Sequence, residues 1–183
     1  MKLFTRYRIL NATRAMVAEV GVERVTMRGI AALANITAPA IYKHFRNKRE
    51  LLDEVVAHGY RELSNQMMRS GLKAEAGQRR LRVMINEAAI YTERHPRLVE
   101  MMFKPLSQDQ EVVQRLEQQV EVCIQARVMK HGNPAELTKT IWSLIRGFLA
   151  RRPEGNVRRR YDRSVHQLLR PLALEPELRE AAA

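Results

Sequence analysis

Thr26-Met27-Arg28-Gly29-Ile30-Ala31-Ala32-Leu33-Ala34-Asn35-Ile36-Thr37-Ala38-Pro39-Ala40-Ile41-Tyr42-Lys43-His44-Phe45 is the stretch that decides the fold. Its helix ends are legible. Thr26 can cap a helix running to about Ala34, because its hydroxyl can accept from an unpaired first-turn N–H. Asn35 then stands where a sharp turn needs a residue tolerant of positive φ. Thr37 can cap the next helix, and Pro39 is acceptable in that helix's first turn, where a missing N–H leaves no gap. This second helix is expected to end near Phe45. Beyond it, Asn47 can cap another helix, with Glu50 completing a capping box. Two short helices joined by three residues, with Ala31, Leu33, Ile36, Ile41 and Phe45 apolar, predict a helix-turn-helix. Ala31 is small where the helices would cross, and Ile36 and Ile41 can plug the space between them. Tyr42, Lys43 and His44 share the other side. One face anchored in a core and one presenting donors is what a helix needs to read DNA. The same shape also occurs in packing motifs that touch no nucleic acid, so charge must be weighed beside it.

The charge favours an anionic partner. The 183 residues carry 32 basic and 20 acidic side chains, a formal net charge of +12. Residues 1–50 hold ten basic and three acidic side chains, so the first quarter supplies more than half of the excess. DNA, RNA or a membrane surface would fit that asymmetry. Hydrophobic residues make up 45% of the chain, enough for a packed core. No apolar run approaches the ~18 residues of a membrane span. The start lacks a secretory apolar segment. Cys123 is the one cysteine, which excludes an intrachain disulfide framework and a cysteine-rich zinc module. A reducing cytoplasm is the expected compartment.

Outside the opening stretch the apolar residues recur at three and four. Ile9, Leu10, Thr13, Met16, Val17 and Val20 form one stripe. Leu51, Leu52, Val55, Val56, Tyr60, Leu63 and Met67 form the next. Others are Leu81 to Tyr91, Val113 to Val128, Leu137 to Phe148, and Tyr161 to Leu169. Each predicts an amphipathic helix, and no strand alternation is present, so the expected fold class is all-α. Gly21 is expected to end the first helix as a left-handed cap. Ser70 to Gln78 reads as a connection. His95-Pro96 ends a helix, since a residue before proline avoids the α region. Pro105 to Gln108, Gly132-Asn133-Pro134 and Pro153 to Asn156 are further breaks, and Ala181 to Ala183 is expected to fray.

Three blocks together resemble the DNA-binding domain of TetR-family transcriptional regulators. They are Thr26 to Ala31, Asn35 to Phe45, and Asn47-Lys48-Arg49-Glu50-Leu51-Leu52. The stretch from Ile9 to Gly21 is similar to the family's first helix, so the resemblance covers roughly residues 5–56. Three features depart from it. Asn35 stands where the turn usually has glycine, Gly29 stands where an acidic residue is common, and Met16-Val17 replace a leucine-phenylalanine pair. Gly29 costs about 1 kcal/mol of helix propensity relative to alanine.

The resemblance implies an N-terminal three-helix DNA-binding domain at residues 1–50, followed by a helical-bundle ligand-binding and dimerisation domain at 51–183. Thr26, Thr37, Tyr42, His44 and Lys48 would touch phosphates. Arg28 and Lys43 would reach base edges, and Ala38 and Pro39 would pack on a thymine methyl. The effector pocket would be lined by Met84, Glu87, Tyr91, Met101, Met102, Phe103, Val120, Cys123 and Trp142. A methionine-rich lining suits a small apolar or aromatic effector. A homodimer would form through Ile141, Leu144, Ile145, Gly147, Phe148, Tyr161, Val165, Leu168 and Leu169, on helices near Ala135–Arg151 and Asn156–Arg170. Its two recognition helices would read half-sites of a palindromic operator about 34–36 Å apart or more. The implied function is a repressor of transcription that binds double-stranded DNA and is released by effector.

Other readings compete. A regulator without an effector is one. A basic helical protein on a membrane surface is another, since Arg158 to Leu174 is basic and amphipathic. An enzyme is disfavoured. His44, His58, His95, His131 and His166 are scattered, and no phosphate loop, nucleophile elbow, metal-ligand cluster or cofactor motif is present. Operator, target gene, effector and sign of regulation are not encoded in any recognisable motif.

Overall fold

The computed structural model describes residues 2–75, 77–103, 109–130, 132–149 and 157–170. Among them are nine α-helices and no β-strand: α1 (Lys2–Val20), α2 (Met27–Leu33), α3 (Ala38–Tyr42), α4 (Lys48–Leu72), α5 (Gln78–Arg94), α6 (Pro96–Met102), α7 (Gln110–Gln125), α8 (Pro134–Leu149) and α9 (Val157–Leu169). A 3-10 turn, Val22–Arg24, joins α1 to α2. The all-α expectation holds. The breaks expected at 105–108 and 153–156, and the fraying at 181–183, lie outside the described residues.

The chain forms two compact units. The first comprises Met1–Tyr60 and His95–Gln108. Its core is Ile9, Leu10, Val17, Val25, Ile30, Ala31, Ile41, Phe45, Leu51, Val55 and Tyr60, joined from α6 by Leu98, Val99, Met101 and Met102. The Tyr60 hydroxyl donates to the Met102 carbonyl at 2.7 Å. Arg97 of α6 donates to the carbonyls of Ala18, at 2.9 Å, and Glu19, at the end of α1. Gly21 follows with φ 82° and ψ 158°. Its φ is positive as expected, but its ψ lies beyond the left-handed helical region, in backbone space essentially confined to glycine. The chain therefore leaves α1 extended, not as a simple helix cap.

Two of the departures noted in the sequence answer each other here. A Cβ at position 29 would collide with the Cε of Met16. The flexible methionine thus occupies the space that glycine leaves open.

The second unit comprises Arg61–Arg94 and Asp109–Ala183. Its buried apolar residues come from α4 (Leu63, Met67), α5 (Leu81, Met84, Ile85, Ala88, Tyr91), α7 (Leu116, Val120, Cys123), α8 (Ile141, Trp142, Ile145) and α9 (Tyr161, Val165, Leu169). The connection expected from Ser70 begins later, because α4 continues to Leu72. Gly71 stays helical and lets Met84 approach. The break at His95-Pro96 is where α5 gives way to α6. Asn133 caps α8, its side-chain carbonyl accepting from the N–H groups of Ala135 at 2.9 Å and Glu136 at 3.4 Å.

Candidate nucleic-acid interface

The interface is built from α2, the turn, α3 and the first turn of α4. Thr26 caps α2, its hydroxyl accepting from the Gly29 N–H at 3.1 Å. Asn35 has φ 49°, in the left-handed region the turn required. The Asn35 and Ile36 N–H groups return to the Ala32 and Ala31 carbonyls at 3.1 and 3.0 Å. Thr37 is the N-cap of α3, yet its side chain makes no capping bond and is exposed. That hydroxyl remains able to meet a phosphate. α3 is shorter than expected and ends at Tyr42, after which the His44 and Phe45 N–H groups both turn back to Ile41. Asn47 caps α4 by accepting from the Glu50 N–H at 2.9 Å. The Glu50 carboxylate accepts from the Arg46 N–H at 2.7 Å, one residue before the expected capping-box partner.

The residues sort by face. Ile30, Ala31, Ala34, Ile41 and Phe45 are buried. Thr26, Arg28, Thr37, Pro39, Tyr42 and Lys43 are exposed, and Ala38, His44 and Lys48 are half-buried. Tyr42 keeps 54% of its surface and is not a core aromatic. The Lys48 ammonium lies 3.5 Å from the Val22 carbonyl, which steers it while leaving other N–H groups for an anion. Two residues of the expected apolar set differ. Leu33 is 53% exposed, because the helix turns it away from α3, and Ile36 is only half-buried in the turn. Arg6, Arg8 and Arg97 bond helix ends in this unit. Their partners are distant in sequence and no local motif marks them.

The expected pocket residues are distributed over both units. Met101, Met102 and Phe103 belong to the first unit, and Phe103 packs edge-on to Tyr60, ring centroids 6.3 Å apart. Met84, Glu87, Tyr91, Val120, Cys123 and Trp142 are buried in the second unit. Their polar atoms already have partners. Glu87 does not face water but accepts from the Ser70 hydroxyl at 2.8 Å. The Tyr91 hydroxyl donates to Glu62 at 3.1 Å. The Trp142 indole N–H donates to Asp109 at 2.5 Å, and Arg146 donates to the same oxygen at 2.8 Å. Asp109 and Arg146 escaped the sequence reading because their partner lies on another helix. Burial pushes the Cys123 thiol above its usual range, against smaller opposing effects of a Gln119 contact and Arg80.

The expected subunit-interface residues also divide. Ile141, Ile145, Tyr161, Val165 and Leu169 are buried within this chain's own bundle. Periodicity marks the apolar face of a helix without saying which chain covers it. Leu144 is 51% exposed, and among the described residues nothing lies within 4 Å of where a side chain on Gly147 would begin. The side chains of Phe148 and Leu168 lie outside the described residues.

Among the described residues no helix is long and apolar enough to cross a membrane. None of them form a group of three or more His, Cys, Asp or Glu suited to a metal ion.

Residues 9–55 match the family model described as "Bacterial regulatory proteins, tetR family". The chain is 29% identical over 181 residues to the HTH-type transcriptional repressor KstR of Mycobacterium tuberculosis, spanning 90% of this chain and 80% of that protein. A TetR-family transcriptional regulator from Pectobacterium atrosepticum superposes with a TM-score of 0.82 at 20% identity, over 95% of this chain and 96% of that one. The structure of AibR in complex with isovaleryl coenzyme A and operator DNA superposes at 0.66 and 17% identity, covering 89% and 97%.

Proposed function

We propose that the chain is a DNA-binding transcriptional regulator of the TetR family of bacterial regulatory proteins, and that it is a homodimeric repressor of a palindromic operator, released by a small-molecule effector. The observation that carries this reading is the division of one short segment. Ile41 and Phe45 are core, while Thr37, Pro39, Tyr42 and Lys43 between and beside them stay exposed. Thr26, Thr37, Tyr42, His44 and Lys48 hold phosphates in this proposal. Arg28 and Lys43 donate to guanine O6 or N7, and Ala38 and Pro39 meet a thymine methyl. Residues 1–50 act as the DNA-binding domain and 51–183 as the ligand-binding and dimerisation domain. The exposed Leu144, and the space that the described residues leave at Gly147, support α8 as a surface for a second copy. The place of action is the reducing cytoplasm.

The effector is a small apolar or aromatic molecule, entering among the apolar residues of the second unit. The bonds already made by Glu87, Tyr91 and Trp142 support an apolar ligand, since a polar one would have to displace them. The joint complex of AibR with an acyl coenzyme A and its operator DNA is a precedent for ligand and DNA meeting one protein of this fold. α4 is one helix whose residues to Tyr60 lie in the first unit and from Arg61 in the second. A ligand that binds two positions of this helix unequally would shift DNA affinity.

The test is selection of bound duplexes from a random pool at one fixed salt concentration. A two-fold symmetric motif supports the reading. Salt-sensitive binding with no enriched motif would leave only phosphate attraction and sink the operator proposal.

A further inference from the structure

α3 has five residues, too few to be stable by itself, so its direction must be imposed from outside. Two arginines of α1 reach the ends of the reading helices. The Arg8 guanidinium donates to the carbonyl of Ala34, the C-cap of α2. Arg6 donates to the carbonyl of His44 at 2.8 Å, where the chain leaves α3. Its second nitrogen lies 3.4 Å from the Glu54 carboxylate of α4. Its plane lies over the Phe45 ring, 4.2 Å from the centroid. Arg6 therefore binds the end of α3, its buried anchor Phe45, and α4 at once. Only a planar cation with several fixed donors can do this. A cation beside helix-terminal carbonyls is also favoured by their partial negative charge.

We propose that Arg6, supported by Arg8, is a positioning residue for DNA reading. It fixes the angle at which α3 meets the major groove and contacts no DNA itself. Its donors are already engaged by a carbonyl and a carboxylate, and its side chain is only 34% exposed. Base readout needs side chains held to within about half an ångström, whereas phosphate attraction tolerates misplacement. Loss of Arg6 should thus damage specific binding and spare non-specific binding.

The test compares native chain, Arg6→Lys and Arg6→Gln on two duplexes, the one enriched by the native chain and a scrambled one, across a salt series. Arg6→Gln should lose about tenfold or more on the enriched duplex and less than about twofold on the scrambled one. Its salt slope should be unchanged, because no phosphate contact is removed. Arg6→Lys, keeping charge and one donor, should fall between. Equal losses on both duplexes with a slope shallower by about 0.9 would make Arg6 a phosphate contact and overturn the proposal. Unchanged affinity of the folded variant for the enriched duplex would overturn it too. Hydrogen exchange of residues 38–47 in Arg6→Lys gives a second reading without DNA. Faster exchange confined to that segment supports the proposal, and exchange equal to the native chain overturns it. Because this arm needs no operator, absence of an enriched motif would defeat the operator reading without deciding this one.

Discussion

The two units handle polar groups in opposite ways. In the DNA-reading unit the polar side chains of α2 and α3 stay at the surface, and Thr37 caps its helix without using its hydroxyl. In the second unit polar side chains go inside. Asp109 is 8% exposed and takes two donors, Trp142 and Arg146, while Glu87 at 9% takes Ser70. Ser64 and Thr138 are buried there with no hydrogen-bond partner among the described residues. A surface built to meet phosphate and base edges must keep donors solvated until DNA replaces water. An interior favours pairing them, as at Asp109 and Glu87, because an unpaired buried group costs about 1–3 kcal/mol. Mutations of similar chemistry should therefore act on binding in one unit and on stability in the other.

The largest effect should come from breaking the interior pairing. Asp109→Ala removes the carboxylate that pairs with the Arg146 cation and the Trp142 N–H, and should cost about 3–5 kcal/mol of stability by urea unfolding. The folded fraction should still bind DNA with native affinity. A stability loss under ~1 kcal/mol would show that water satisfies both donors and would erase the contrast.

Lys43→Ala in the reading unit should do the reverse. Affinity for the enriched duplex should drop by about 1–3 kcal/mol, with stability changed by less than about 0.5 kcal/mol, as for an exposed side chain. Thr37→Ala and Lys48→Met test the phosphate side of the same surface. Lys48→Met should weaken enriched and scrambled duplexes alike and make the salt slope shallower by about 0.9. A sequence-dependent loss would move Lys48 from phosphate to base contact.

Cys123 sharpens the picture of the second unit's interior. Burial raises its thiol pKa, so its contribution to stability is complete below the ordinary thiol range. That contribution is lost as pH climbs through the raised value, where the unfolded thiol ionises first. Stability should decline on the alkaline side less steeply in Cys123→Ala than in native chain; in both, the buried Tyr161 phenol, also raised by burial, adds its own decline. A thiol reagent should label the native chain only as fast as this unit opens.

The smallest effect should be at Gly29. Gly29→Ala gains helix propensity of about 1 kcal/mol and forces Met16 to move. The net change should stay within about 1 kcal/mol, and a double-mutant cycle with Met16→Leu should be non-additive. Additivity would mean that the two positions do not share the space.

Much of the reading unit was legible because its signals are local. The Thr26 cap, the left-handed Asn35, the Asn47 cap and the break before Pro96 all depend on residues within four positions of each other. The failures came where the partner was remote. Leu33 counted as apolar and therefore inner, yet it is exposed. Ile141, Ile145, Tyr161, Val165 and Leu169, expected at a subunit interface, are buried within this chain's own bundle, and apolar period alone does not say which chain covers a face. Met101 and Met102 lie in the first unit and Met84 in the second, an assignment that no local pattern marks.

By itself, then, the sequence determined the helical class, the helix-turn-helix and the resemblance to a family. Backbone dihedral preference, capping and apolar period act over a few residues, and those are written in order along the chain. Tertiary structure alone decided which apolar faces turn inward, that Asp109 joins Trp142 and Arg146, and that Arg6 closes the end of α3. Those outcomes depend on distances between residues dozens of positions apart, which only the folded packing of helices sets.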